Sequence, residues 1–102
     1  MADGKQFCVY IMASAPRGVL YTGVTSDIAA RCWEHRTGVI DGFTKKYAVR
    51  RLVYFEFHDD ASIANARERR LKRWRRDWKI QLIEANNPTW RDLFGEVVYS
   101  HG

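Results

Sequence analysis

The sequence has little cysteine and no long apolar run, and each shortage excludes a class of protein. Its two cysteines, Cys8 and Cys32, belong to no C-x-x-C motif, so neither a disulfide scaffold nor a zinc ribbon is encoded. We expect both thiols to pack as small apolar groups in a reducing cytoplasm, without a disulfide partner. The longest apolar run, residues 7–13, is far shorter than the roughly 20 residues of a membrane-spanning helix. The sequence therefore predicts no membrane span.

Apolar residues are abundant enough to form a core. Hydrophobic residues make up 46% and aromatic residues 14% of the 102 positions, and a chain of this length fits one domain. We expect a single domain over residues 1–94 and a C-terminal tail over residues 95–102. Within that tail, residues 97–99 could add an edge strand or pair two copies of the chain.

Positive charge is concentrated in one segment. The chain carries 17 Lys and Arg against 12 Asp and Glu, a net charge of +5. Residues 67–79 hold eight basic and two acidic residues, a net of +6, so the rest of the chain sums to −1. Charge confined to one segment indicates contact with a polyanion, and phosphate backbones are the commonest such partner. The simplest alternative is a solvated helix face.

Three segments have the composition of β-strands. Residues 7–12 and 19–24 are rich in β-branched and aromatic residues, and the S-A-P-R-G sequence between them has turn chemistry, which predicts a hairpin. Residues 51–57 predict a third strand by the same criterion.

Helix boundaries are marked by capping residues. Asp27 can cap a first helix over residues 27–37, and Gly38 suits the position just after its end. We interpret residues 38–46 as a loop.

A second helical region follows the third strand. His58, Asp59 and Asp60 are interpreted as a turn and helix cap rather than as a second metal cluster. Either this helix continues past Asp77 or a third helix starts there. The helical region ends near Ala85, before the sequence N-N-P.

Within this region, an apolar stripe recurs at helical spacing. We assign it to the core, although its two tryptophans could instead stack on nucleic-acid bases. Its members are Leu71, Trp74, Trp78 and Leu82.

The predicted order is strand, strand, helix, strand, helix, helix. This order predicts an α/β protein of the α+β kind, in which a small, mostly antiparallel sheet of three strands is flanked by helices.

Two short signatures resemble those of a known nuclease superfamily. The triplets C-V-Y at residues 8–10 and Y-T-G at residues 21–23 look like the paired signatures of the GIY-YIG nucleases. Arg31 follows Tyr21 by ten residues, and Glu68 lies in the basic segment, which matches the superfamily's order. The phrases L-Y-T-G-V-T-S-D, W-E-H-R, G-F-T-K-K-Y and N-P-T-W-R-D-L further resemble small stand-alone bacterial proteins similar to the N-terminal domain of an excinuclease.

The resemblance implies a metal-dependent nuclease that attacks phosphodiesters with a tyrosine-assisted water. It implies that Tyr10 and Tyr21 form the catalytic site, and we assign Tyr10 as the general base. Arg31 would stabilise charge on the phosphoryl oxygens, and His35, one turn later, would orient the water or protonate the leaving oxygen. Glu68 would bind a single Mg²⁺ or Mn²⁺.

The partner implied is a nucleic acid, with DNA favoured over RNA and no membrane involved. Contacts to phosphates fix position but carry no sequence information, so weak sequence selectivity should follow. The residues assigned to nucleic-acid binding are Gly23, Lys45, Lys46, Arg67, Arg69, Arg70, Lys72 and Arg73.

Two departures from the excinuclease pattern are visible. Val24 stands where the excinucleases commonly carry a lysine that could lower the pKa of a tyrosine. The further domains of those proteins lie outside the resemblance, so their DNA repair role does not carry over.

Two other functions stay open. One is a non-catalytic nucleic-acid-binding module, and the other is an interaction domain that docks an acidic protein.

Overall fold

The protein folds around one antiparallel sheet. A computed structural model describes residues 6–38 and 42–100. The three strands lie in the order β2-β1-β3, which confirms the predicted hairpin and sheet. Because β1 is central, its residues from Cys8 onward are almost completely excluded from solvent. The strands are β1 (Phe7–Ala13), β2 (Leu20–Thr25) and β3 (Arg51–His58).

Helices cover both faces of the sheet. The predicted first helix is confirmed: the Asp27 side chain accepts a hydrogen bond from the backbone N–H of Ala30, and Gly38 ends the helix at φ 74°. Asp60 caps the next long helix as predicted, by accepting from the N–H groups of Ser62 and Ile63. In the described part of the chain, no helix is long and apolar enough to cross a membrane. The helices are α1 (Ile28–Thr37), α2 (Phe43–Lys46), α3 (Ala61–Arg73), α4 (Arg76–Asn86) and α5 (Phe94–Ser100).

The helical region after β3 is broken, so a separate helix does begin beside Asp77. Trp74 and Arg75 are extended, with ψ of 148° and 151°, and they separate α3 from α4. The predicted apolar stripe therefore does not run along one helix. Leu71 is fully buried, but Trp78 is 46% exposed, and its assignment to the core is wrong.

The predicted loop over residues 38–46 contains a short helix. The N–H groups of Lys46 and Tyr47 donate to the carbonyls of Gly42 and Phe43, which closes one turn. The rings of Phe43 and Tyr47, four residues apart, pack at an angle of 50° with centroids 4.9 Å from each other. Residues 39–41 of the predicted loop lie outside the described residues.

The interpretation of residues 97–99 as an edge strand is wrong, because they belong to helix α5. Val97 is fully buried and packs into the same core as Tyr10 and Ile28. The N–H of Leu93 donates to the carbonyl of Leu52, which fixes the segment before α5 against β3. The assignment of residues 1–94 to one domain stays a prediction, and the last two residues of the predicted tail lie outside the described ones.

The two faces of β1 pack against different helices. Cys8, Tyr10 and Met12 face a core built with residues of α1 and α5. Val9 and Ile11 face the opposite way, towards α3 and α4. This alternation, expected of a strand, separates the surroundings of Tyr10 from those of the basic helix.

Val97→Ala is expected to lower the free energy of unfolding by about 2 kcal/mol, because two buried methyl groups leave a core that cannot fully collapse. Urea unfolding followed by circular dichroism measures the loss. The matched control is Glu96→Ala on the exposed side of α5, which should change stability by less than about 1 kcal/mol. Equal effects of the two variants would contradict the packing of α5 into the core.

Candidate active site

Tyr10 packs its ring onto the backbone of Gly23. The two residues are partners in the antiparallel pairing of β1 with β2, so they lie side by side. A Cβ atom at residue 23 would lie 2.5 Å from the Tyr10 hydroxyl oxygen and 2.6 Å from Cζ, far inside van der Waals contact. Glycine at this position is therefore what lets the phenol ring lean across the edge strand.

The Tyr10 hydroxyl lies between two polar side chains of α1. Arg31 Nη1 donates a hydrogen bond to the hydroxyl oxygen at 3.4 Å. His35 Nε2 lies 3.5 Å from the same oxygen. Because Arg31 and His35 are four residues apart, one face of α1 presents both to the same point. Three of the predicted catalytic residues therefore meet at one hydroxyl group.

Tyr21 completes a cluster of rings at this point. Its ring centroid lies 6.4 Å from that of Tyr10 and 5.6 Å from that of His35. His35 is 4% exposed, whereas Tyr21 is only half-buried, so Tyr21 lies at the solvent side of the cluster. All four residues assigned to catalysis are thus brought together, while their individual roles stay predictions.

Burial determines the protonation states of the cluster. Burial raises the pKa of Tyr10 to about 12, although the hydrogen bond from Arg31 opposes the increase. Burial, followed by the positive charge of Arg31, lowers the pKa of His35 below its ordinary value. At neutral pH the phenol therefore keeps its proton and the imidazole is uncharged, so the imidazole can accept a proton from the phenol.

Glu68 lies on the other face of the sheet. It is 9% exposed, and its carboxylate pairs with Lys72 Nζ at 2.5 Å. Helix α3 follows β2 in the opposite direction: its first turn borders a cavity together with Val24, and Trp74 borders another with Leu20. The middle of α3, where Glu68 lies, is therefore level with the middle of β2.

One buried polar atom, the hydroxyl oxygen of Thr22, lies in the middle of β2. Thr22 is 5% exposed, and its Oγ1 has no hydrogen-bond partner among the described residues. In that part of the chain, no group of three His, Cys, Asp or Glu side chains could hold a metal ion. The donor set at Glu68 is thus one carboxylate, which fits Mg²⁺, since this ion commonly keeps several waters and takes one or two protein carboxylates. That Glu68 and the tyrosines share one metal stays a prediction.

The side chain of Val24 also belongs to this face. It packs against the cluster of Val9, Ala64 and Leu71, on the opposite side of the sheet from Tyr10. A lysine at residue 24 would therefore extend from the face of the sheet that packs against α3, and not from the face that carries the Tyr10 ring.

The cations assigned to nucleic-acid binding differ in their surroundings. Arg67 forms two hydrogen bonds to Glu56, at 2.9 and 3.2 Å, and lies over the ring of Trp74, so its guanidinium is already bound within the protein. Lys72 pairs with Glu68. The other assigned cations have exposed side chains, namely Lys45, Lys46, Arg69, Arg70 and Arg73.

Phe43 is a site residue that the sequence analysis missed. Its ring lies 6.4 Å from that of Tyr21 and is 47% exposed, so it extends the aromatic cluster into solvent. The available signal was the pair Phe43 and Tyr47, whose spacing of four residues is typical of a helix. The intervening lysines and preceding glycine favoured a loop instead.

Gly23→Ala is expected to lower the free energy of unfolding by about 1–3 kcal/mol, because the added methyl group collides with the Tyr10 ring. In a Tyr10→Leu background the same change should cost much less, since the colliding atoms are gone. Chemical unfolding of the four proteins measures this coupling. As a control, Gly95→Ala in α5 meets open space and should raise stability by roughly 0.4–1 kcal/mol. Additive losses in the two backgrounds would refute the close contact.

Comparisons with known proteins identify the family of this chain. Residues 6–81 match the family model described as the GIY-YIG catalytic domain. A UPF0213 protein of Haloquadratum walsbyi is 38% identical over 76 residues, which are 74% of this chain and 84% of that protein. A UPF0213 protein of Clostridium perfringens is 34% identical over 79 residues, 78% of this chain and 84% of the relative. One of Staphylococcus aureus is 37% identical over 76 residues, 74% of this chain and 92% of the relative. No solved structure gives a significant match. The chain therefore belongs to the GIY-YIG family, whose catalytic domain indicates a function of the nuclease type.

Proposed function

We propose that this protein is a metal-dependent nuclease that hydrolyses phosphodiester bonds of nucleic acids. The observation that carries the proposal is the Tyr10 hydroxyl, 3.4 Å from Arg31 Nη1 and 3.5 Å from His35 Nε2. Hydrolysis needs a group that removes a proton from water and positive charge beside the phosphoryl oxygens. A phenol in contact with a neutral imidazole and a guanidinium supplies both.

The proton moves through a relay, because Tyr10 alone is a poor base. With a pKa of about 12, only about one tyrosine in 10⁵ is ionised at pH 7. In the relay, the Tyr10 oxygen takes a proton from the attacking water while its own proton passes to His35 Nε2. The water oxygen bonds to phosphorus, the bond from phosphorus to the leaving oxygen breaks, and the proton held by His35 ends on that leaving oxygen.

Arg31 supplies the fixed positive charge. Its Nε pairs with Glu34 Oε1 at 3.1 Å, which holds the guanidinium while Nη1 points at Tyr10. A planar guanidinium can give parallel hydrogen bonds to two phosphate oxygens and keeps its charge at every relevant pH. Tyr21, at the solvent side of the cluster, would orient the scissile phosphate with its hydroxyl group.

Glu68 would hold one Mg²⁺ or Mn²⁺, with Lys72 giving up its ion pair when the metal binds. A divalent cation bound there would supply positive charge on the α3 side of the edge strand β2, and it would reach the scissile phosphate only past that edge. The Thr22 hydroxyl group lies in the middle of β2 and has no hydrogen-bond partner among the described residues. It would form a hydrogen bond with a water molecule bound to such an ion.

The substrate strand would be held by the exposed cations, with DNA as the favoured partner and little sequence selectivity. Their contacts to phosphates would act together with Gly23, whose missing side chain makes room for the buried Tyr10 ring. Two buried free thiols, Cys8 and Cys32, suit a protein of the reducing cytoplasm.

Tyr10→Phe is expected to slow cleavage by about 10²- to 10⁴-fold, because it removes only the hydroxyl group of the relay. Glu68→Gln should abolish the dependence of the rate on Mg²⁺ or Mn²⁺. The assay uses single-stranded, duplex and branched DNA and RNA, each with and without metal. The matched control is Tyr54→Phe, which removes a buried hydroxyl group bonded to Glu56, on the other face of the sheet, and should leave cleavage unchanged.

Two outcomes would count against the enzyme. Cleavage that is equal in wild type, Tyr10→Phe and Glu68→Gln would come from a contaminant. Binding that weakens with salt but leads to no cleavage of any substrate would favour the non-catalytic binding module.

The pH dependence of the rate distinguishes the relay from a free phenolate. Since His35 must be neutral to accept a proton, the rate should fall only as the pH drops through the pKa of His35, which burial holds below its ordinary value. From about pH 7 to 9 the rate should be flat. A phenolate acting alone would instead give a tenfold rise per pH unit over that range. His35→Gln should remove the acidic limb of the profile.

A further inference from the structure

A second groove begins beside the catalytic cluster. It has a volume of about 350 Å³ and lies between the start of β2, helix α2 and the junction of α3 with α4. Phe43, whose ring packs beside Tyr21, forms the wall shared with the catalytic site. Trp74, Arg76 and Lys79 line the same groove from the α3–α4 junction.

The groove carries positive charge that no carboxylate neutralises among the described residues. Burial, then the charges of Arg76 and Lys72, lowers the pKa of Lys79, so the groups acting on it electrostatically are cations. Lys79 forms no ion pair within the part of the chain that the structure describes. Arg76 donates to the backbone carbonyls of Arg17 and Gly18, which are neutral acceptors, so its charge also remains. An exposed arginine beside a half-buried lysine, with no carboxylate paired to either among the described residues, suits an anionic ligand.

The groove also offers aromatic surface. Phe43 is 47% exposed and Trp74 is half-buried, and both border the same space. Trp74 also borders a second cleft of about 460 Å³ that it shares with Trp78. Nucleic-acid strands bind where aromatic side chains stack on bases and nearby cations contact the phosphates. A purely acidic peptide would use the cations but leave the rings without a partner.

We propose that this groove binds one unpaired nucleotide of the substrate strand, with the base against Phe43 and Trp74 and the phosphate on Arg76 and Lys79. The volume lies within the range of small-ligand sites. Its place beside Tyr21 rests on the proposed nuclease function, since the same strand would continue to the Tyr10 hydroxyl. The groove therefore positions the nucleotide next to the scissile phosphate.

The test measures binding of a short fluorescein-labelled oligothymidylate by fluorescence anisotropy, in EDTA so that nothing is cleaved. Phe43→Leu keeps an apolar side chain but removes the ring, and it should weaken binding by about fivefold or more. Lys79→Gln should reduce the slope of log affinity against log salt by about 0.7, the value for one phosphate contact on a single strand.

Matched variants remove the same chemistry elsewhere. Trp33→Leu deletes a more exposed ring, 60% accessible on α1, and Arg91→Gln deletes a charge that borders a different cavity. Both should bind like wild type. On an oligomer of the same length made of abasic units, Phe43→Leu should have no effect, because no base is present to stack.

Three results would overturn the groove proposal. In the first, Phe43→Leu and Lys79→Gln bind the oligothymidylate like wild type. In the second, the control variants lose as much affinity as these two variants do. In the third, Phe43→Leu weakens binding of the abasic oligomer as much as binding of the oligothymidylate. An acidic peptide that competes fully with the oligothymidylate, and whose binding Phe43→Leu leaves intact, would also assign the groove to a protein partner. Cleavage is scored separately: an active nuclease with unaffected variants refutes only the groove, and affected binding without cleavage refutes only the nuclease.

Discussion

The contact between the Tyr10 ring and the backbone of Gly23 is the constraint on which the site depends. Because residue 23 has no Cβ, the ring can lie across the edge strand, with its hydroxyl oxygen where a side chain would otherwise be. Helix α1 then packs against this ring through Ile28 and Cys32, which belong to the same core cluster. Once these residues face inward, the helical period brings the next turn of α1 to the hydroxyl group as well. A packing requirement of the sheet thus determines where the polar groups of the site lie.

The same burial gives the two proton-carrying groups opposite shifts. Burial disfavours whichever form is charged, so it raises the pKa of the Tyr10 phenol and lowers that of the His35 imidazole. In the resting site the proton therefore stays on the oxygen, and neither group carries charge. Arg31 shifts both pKa values downwards, which stabilises a phenolate but disfavours an imidazolium beside it. The cluster is consequently arranged for coupled proton movement rather than for a standing ion pair.

Sequence reasoning succeeded where the structure is local. The hairpin, the cap at Asp27 and the spacing of Arg31 and His35 along one helix all depend on neighbours in sequence. It failed where contacts between distant segments determine the structure. Helix α5, for example, is held in place by the packing of Val97 into the core rather than by local propensity. The groove lined by Phe43 could not be foreseen, because its walls come from three segments far apart in the chain.

The break between α3 and α4 explains how one run of basic residues acquires separate roles. Before the break, Arg67 and Lys72 are neutralised by Glu56 and Glu68, so these charges support the fold. After it, the chain turns Arg76 onto the carbonyls of the β1–β2 hairpin, and Lys79 enters the groove beside it. Arg76 is exposed and Lys79 is half-buried, and like charges held close together oppose folding where no carboxylate compensates them. A phosphate bound between them would remove that repulsion, so the two charges after the break suit a strand leaving the catalytic cluster, while Arg69, Arg70 and Arg73 stay exposed on α3.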